Sequence, residues 1–238
     1  CLTLGPVAVL AAPTLEQIGE FAVKEANQGV GVDANHFYAV DNFTIGKYDK
    51  KTGQLAKKWQ GDKKGPVLHL DSAMLMHGKL YAAHSNWPEW PMTSSLEIFD
   101  AATLEHVGTH SFGIQYGSLT WADWHDGHWW MTFANYDRLM GPNKTPYGHK
   151  ANTVMVKFTR DLRPVQSWTL PKAILDKFED MSNSGGSWGP DGYLYGLNGV
   201  FNHSHIKYTT DNPNYKADHP GWPITCALFR IHPPHFRR

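Results

Sequence analysis

A chain of 238 residues that is 41% hydrophobic and 18% charged carries enough apolar surface for a sizeable core, which excludes gross disorder. Its 22 basic and 22 acidic residues cancel and no Lys/Arg stripe stands out, so the electrostatic footprint of a nucleic-acid binder is missing. Two cysteines, Cys1 and Cys226, do not make a disulfide framework.

Taken from the start, residues 1–12 are apolar and uncharged but too short to span a bilayer. They read as the end of a secretory leader, with residues 1–11 removed, a mature start near Ala12 and no membrane anchor. The competing reading is a disordered or strand-forming N-terminus. Asn42, Asn143 and Asn202 each begin a glycosylation triplet, which carries meaning only in a secreted glycoprotein. Residues 12–238 are expected to form one domain.

The rest of the chain repeats itself. A turn followed by an aromatic-rich strand occurs at Ala34–Val40, His77–Ala83, Asp126–Thr132 and Asp191–Leu197. Turns such as Asp126-Gly127 between apolar runs signal tight hairpins, because a two-residue turn needs positive φ. Each copy follows a strand of small and apolar residues, at 29–33, 70–76, 119–124 and 185–189. Each also precedes a second hairpin, at Ile45–Trp59, Leu96–Phe112, Val154–Leu170 and, for one strand only, Ala227–Ile231. A short helix is predicted at Pro171–Phe178, where Lys172, Leu175 and Phe178 keep helical spacing.

Four such modules predict an all-β fold: a small β-propeller of four four-stranded antiparallel blades. Leu15–Val23 resembles the outer strand Leu104–Phe112 and is expected to pair beside Ala227–Ile231, closing the ring and hiding its edges. The alternative is a C-terminally truncated larger propeller.

With Gln28–Asp33, Tyr48–Gly53 and Asn183–Gly192 the pattern resembles the YncE-like and lactonase-like β-propellers, which include secreted proteins loosely labelled cycloisomerases. The likeness covers most of the chain and rests on blade punctuation. It implies an enzyme acting on a small ring-containing substrate, by lactone hydrolysis or cycloisomerisation.

Counting six residues from each hairpin turn places Asp41, His84 and Asn198 at one quasi-equivalent position; in the third module the count gives Phe133, with Asn135 just beyond. Strands that begin at the same end add Gln28, His69, Tyr116, Ser118, Asn183 and Ser184. A polar ring at one channel mouth follows. Asp41, His84, Asn135 and Asn198 are its candidate metal ligands, for Ca²⁺ or Mg²⁺ if oxygen dominates and a transition metal if His84 ligates. Without a metal, His84 or His69 is the candidate general base. The plain structural alternative is that these residues cap turns around a wet channel.

Asn86, Trp87 and Trp90 lie on a Pro-stiffened loop beside His84 and, with Asn183 and Tyr116, are the candidate ligand-binding residues. They also support a rival function, a non-catalytic module binding a small molecule, glycan or protein partner. His125 and His128 flank a tight turn and are expected to face solvent, and His203 and His205 share one face of a long loop. A P-loop, dinucleotide fingerprint and HExxH are all missing. The expected state is a secreted monomer.

Overall fold

The computed structural model describes residues 20–140, 145–146, 148–189, 192–200 and 225–231. The first sheet joins β1 (Gly29–Val32), β2 (His36–Asp41), β3 (Thr44–Asp49) and β4 (Leu55–Gln60) in chain order. The second joins β5 (His69–Met76), β6 (Lys79–Ser85), β7 (Ser94–Asp100) and β8 (His106–Gly113). In the third, β9 (Ser118–His125) and β10 (His128–Ala134) lead through a small ribbon, β11 (Leu139–Met140) and β12 (Thr145–Pro146), to β13 (Val154–Phe158) and β14 (Pro164–Thr169). After the short helix α1 (Lys172–Leu175) the fourth sheet joins β15 (Asn183–Trp188), β16 (Leu194–Val200) and β17 (Thr225–Ile231). All pairings are antiparallel.

These are propeller blades, and their local causes are those the repeat implies. His77-Gly78 and Asp126-Gly127 both adopt positive φ at their two residues, which matches a two-residue turn to the twist of the strands it joins. Asp49 Oδ1 accepts the backbone N–H groups of Lys51 and Thr52, and Asp100 does the same for Ala102 and Thr103. The recurring aromatic-Asp pair therefore ends the third strand and shapes the outer hairpin.

The blades meet face to face. Tyr38, Val40 and Ile45 of the first pack on Leu70, Leu80 and Phe99 of the second. Ala83 and Leu96 then pack on Leu119, Trp129 and Phe133 of the third, and Trp121, Trp130 and Met155 of the third on Leu194 of the fourth. Burial of each such side chain contributes roughly 1.5–3 kcal/mol. Strands β1, β5, β9 and β15 are innermost, with β1 packed on β5, β5 on β9 and β9 on β15.

Ring closure is not seen among the described residues. β15 and β1 share no comparable packing. Val30 and Val32, on the β1 face turned away from β5, are 57% and 56% exposed. The described part of the expected closing strand, residues 20–23, is not a strand. Phe21 instead stacks on Phe37 with ring centroids 5.1 Å apart, and Val23 packs against Phe37, Ala39 and Tyr48. This segment covers the outer part of that face of the first blade, because among the described residues no neighbouring blade lies over the apolar Phe37 and Tyr48 rings. Residues 15–19 lie outside the described residues.

Candidate functional site

Three innermost strands share an irregularity near their first residues. On β5 the register passes from Leu70↔His84 to Ala73↔Ala82, so Asp71 and Ser72 face one residue. On β9 Thr120 is the extra residue, and on β15 it is Ser184. Bulges re-aim side chains, and these three sit at one height of the fold. Gly29 of β1 lies against the first of them: a Cβ there would stand 2.5 Å from the Asp71 carbonyl oxygen.

On this bulge the side chains of His69 and Asp71 are both buried, with His69 Nε2 3.8 Å from Asp71 Oδ2. The tautomer of His69 follows from its neighbours. Asp41 Oδ1 accepts from Asn42 Nδ2 at 2.9 Å, which turns the Asn42 amide oxygen the other way. That oxygen accepts from Gln28 Nε2 at 3.3 Å and meets His69 Nδ1 at 2.5 Å. An amide oxygen only accepts, so Nδ1 carries the proton and Nε2 keeps its lone pair toward Asp71. Burial, helped by nearby His84, lowers the His69 pKa to about 4. Burial also pushes the Asp71 carboxyl well above the usual carboxylate range. Among the described residues that carboxyl has no hydrogen bond, and the Ser72 hydroxyl beside it is buried without a partner. The Trp87 ring covers His69, centroids 5.0 Å apart.

Three of the four candidate metal ligands have described side chains, and each is held by neighbouring protein groups. Asp41 caps Asn42. His84 has both ring nitrogens engaged, Nε2 accepting from the Leu68 N–H at 3.0 Å and Nδ1 on Ser95 Oγ at 2.7 Å. Asn135 Nδ2 donates to the carbonyls of Tyr116 and Asn152. The Asn198 side chain lies outside the described residues. No three His, Cys, Asp or Glu side chains among the described residues gather so as to hold a metal ion. Asp41, His84 and Asn135 each find hydrogen-bond partners within their own blade.

The ligand-binding candidates separate in the same way. Asn86 clamps its own loop through Pro91 O and Thr93 N. Trp87 packs on Met92, Ala134, Tyr136 and Met181, whereas Trp90 is exposed. Asn183 Oδ1 accepts from Trp121 Nε1 at 2.6 Å, and the Tyr116 ring packs on Phe133. Trp87 and Asn183 thus fasten neighbouring blades to one another. A narrow crevice, partly open to solvent, adjoins Trp121 and Asn183 between the third and fourth blades, but Met155, Leu170, Phe178 and Leu194 make it chiefly apolar. His125, expected to face solvent, stacks on Trp188 with centroids 4.2 Å apart. His203 and His205 lie outside the described residues.

Asp71 and Asn42 are the residues that sequence reasoning passed over. The signal for Asp71 is its place, an acid two residues after His69 inside the apolar run of β5.

No protein-family model matches the chain, and no curated protein matches it. Solved structures do. Hydrazine synthase of Kuenenia stuttgartiensis superposes with a TM-score of 0.47 at 8% identity, over 79% of this chain and 46% of that one. The PQQ-bound aldose sugar dehydrogenase of Streptomyces coelicolor gives 0.46 at 13%, over 76% and 58%. The WD40 beta propeller domain of Doa1 gives 0.38 at 8%, over 72% and 47%. The chain spans about half the length of the chains it matches.

Proposed function

We propose that the chain is an enzyme that opens small cyclic esters by acid–base catalysis, with His69 as base and Asp71 as acid. One observation carries the reading: the buried His69 Nε2, its lone pair free, and the buried Asp71 carboxyl stand 3.8 Å apart without being bonded to each other, while burial lowers the pKa of the first and raises that of the second. Pairs whose environments drive the two groups toward opposite proton states mark acid–base assignments.

His69 Nε2 takes a proton from water as its oxygen attacks the ester carbonyl. As the tetrahedral species collapses, the ring C–O bond breaks and Asp71 gives its proton to the departing oxygen. His69 then returns a proton to Asp71, and the product is the open hydroxy acid. Asn42 holds the reactive tautomer throughout and Asp41 holds Asn42. His84, whose nitrogens are both occupied, takes no part in proton transfer.

Five- and six-membered lactones followed by proton release test the proposal. Turnover by the native chain, lost in His69→Gln and in Asp71→Asn, is the expected result. Turnover that survives both substitutions, or a native chain that turns over no lactone, overturns it. Exposed Trp90 favours a second reading, a glycan-binding surface, for which Trp90→Ala removes glycan binding and leaves lactone turnover unchanged.

A further inference from the structure

Beneath the channel end of the second blade, a line of hydrogen bonds runs from the residue before β5 across β6, β7 and β8. It begins at the Leu68 N–H, which donates to His84 Nε2. His84 Nδ1 must then carry the ring proton, and it donates to Ser95 Oγ at 2.7 Å. The Ser95 hydroxyl, having accepted, donates to Glu97 Oε1 at 2.6 Å. The other carboxylate oxygen, Oε2, accepts from Thr109 Oγ1 at 2.6 Å and meets His106 Nε2 at 2.7 Å. Glu97 is 3% exposed.

The chain has one self-consistent polarity. Leu68 offers only a proton, so His84 Nε2 has to accept; every later donor points toward Glu97, which accepts from all sides. Moving the ring proton of His84 to Nε2 would set an N–H against an N–H at Leu68 and leave Nδ1 competing with Glu97 for the one Ser95 proton. The residue after Leu68 is His69. Its side chain is fixed by Asn42, while its backbone is anchored one residue upstream by His84 and one downstream by the Leu70 N–H on Asn42 O.

We propose that Glu97 is a positioning residue for this site, acting through Ser95 and His84 to fix Leu68 and so to hold the His69 ring against Asp71. The inference deepens the acid–base reading and rests on it. Glu97 touches no reacting atom. Its buried carboxyl accepts from Ser95, which keeps Ser95 a donor and His84 an acceptor toward Leu68. Its two remaining partners, His106 and Thr109, stand on the outer strand and complete the carboxylate's acceptor sites.

Ser95→Ala cuts the line while leaving Glu97 bonded to His106 and Thr109, and Ser95→Thr restores the hydroxyl. In Ser95→Ala the Leu68 amide is expected to exchange about tenfold faster or more, and the His69 titration, followed by imidazole nitrogen NMR, to move up from about 4 toward 6.5. Ser95→Thr should return both to the native values. Should Ser95→Ala fail to fold, the same contrast is carried by His84→Gln, whose amide also accepts from Leu68 and donates to Ser95, against His84→Leu, which does neither. Native exchange and titration in a folded Ser95→Ala or His84→Leu overturn the proposal. Both readouts are independent of turnover, so shifts in a chain that opens no lactone uphold the positioning of His69 and reject only its acid–base use.

Discussion

His69 Nε2 and Asp71 Oδ2 face each other across 3.8 Å on one bulged strand, and burial pushes the pKa of the first down and that of the second up. Neither shift is the one that would stabilise the fold most. A carboxyl with no hydrogen bond in a buried position is a cost carried for another purpose.

Asp71→Asn is therefore expected to stabilise the protein while abolishing turnover. The raised Asp71 pKa means that, above the ordinary carboxylate value of 3.8, the unfolded chain releases a proton that the folded chain keeps. Stability falls as pH rises through that window, and the amide, which does not titrate, removes the loss. Thermal melts at neutral pH should show a gain on the order of 1 kcal/mol or more, a shift of about 2–4 °C per kcal/mol for a chain this size. A drop in melting temperature would show that the carboxyl is a structural tie.

His69 gives the opposite slope. Its folded value near 4 lies below the ordinary 6.5, so above pH 6.5 neither state is protonated and the group has no effect. As pH falls from 6.5 to about 4 only the unfolded chain takes up the proton, and stability declines by roughly 3 kcal/mol in all. Denaturant titrations between pH 7 and 4 should show this decline in the native chain, and a slope smaller by that amount in His69→Gln. Parallel slopes would place His69 in contact with solvent.

Gly29→Ala tests the bulge itself. Its Cβ would stand 2.5 Å from the Asp71 carbonyl oxygen and 2.8 Å from the Ser72 Cα, both backbone atoms that cannot swing aside. Overpacking of this kind costs about 1–3 kcal/mol. The displacement falls on Asp71, so lactone turnover should fall further than stability alone explains.

The blades were legible because their causes are local: Asp126-Gly127 makes its own turn and Asp49 caps its own hairpin, whatever lies nearby. His69 and Trp87 could be placed at one end of the fold by counting along the repeat. The metal ring could not be judged that way. Asn135 and His84 were correctly set at strand ends, but whether a polar side chain faces a cavity or closes on a neighbouring backbone depends on loops from other blades. Tyr116 and Leu68 decide it here. Asp71 was hidden by its bulge, since a register slip of one residue changes the face on which a side chain emerges. Closure by residues 15–23 drew on a resemblance between strands; of that segment the described part, residues 20–23, packs Phe21 and Val23 on Phe37 and Tyr48 of the first blade.

The open face of the first blade supplies a test with opposite outcomes at adjacent residues. Gly31 and Val32 are neighbours on β1, so their side chains emerge on opposite faces. A Cβ at Gly31 would lie 3.1 Å from Ala73 O and from methyl carbons of Leu75 and Leu80, inside the interface with the second blade. Gly31→Val is expected to cost about 1–3 kcal/mol, because the two blades have no room between them. Val32 is 56% exposed, and Val32→Thr keeps its β-branched shape while trading a methyl for a hydroxyl. On an uncovered face that exchange should change stability by no more than about 0.5 kcal/mol. Urea unfolding of both variants, at one protein concentration, measures the contrast. A cost at Val32 equal to that at Gly31 would mean that the face is covered as tightly as the one the second blade occupies, and the ring would then be closed.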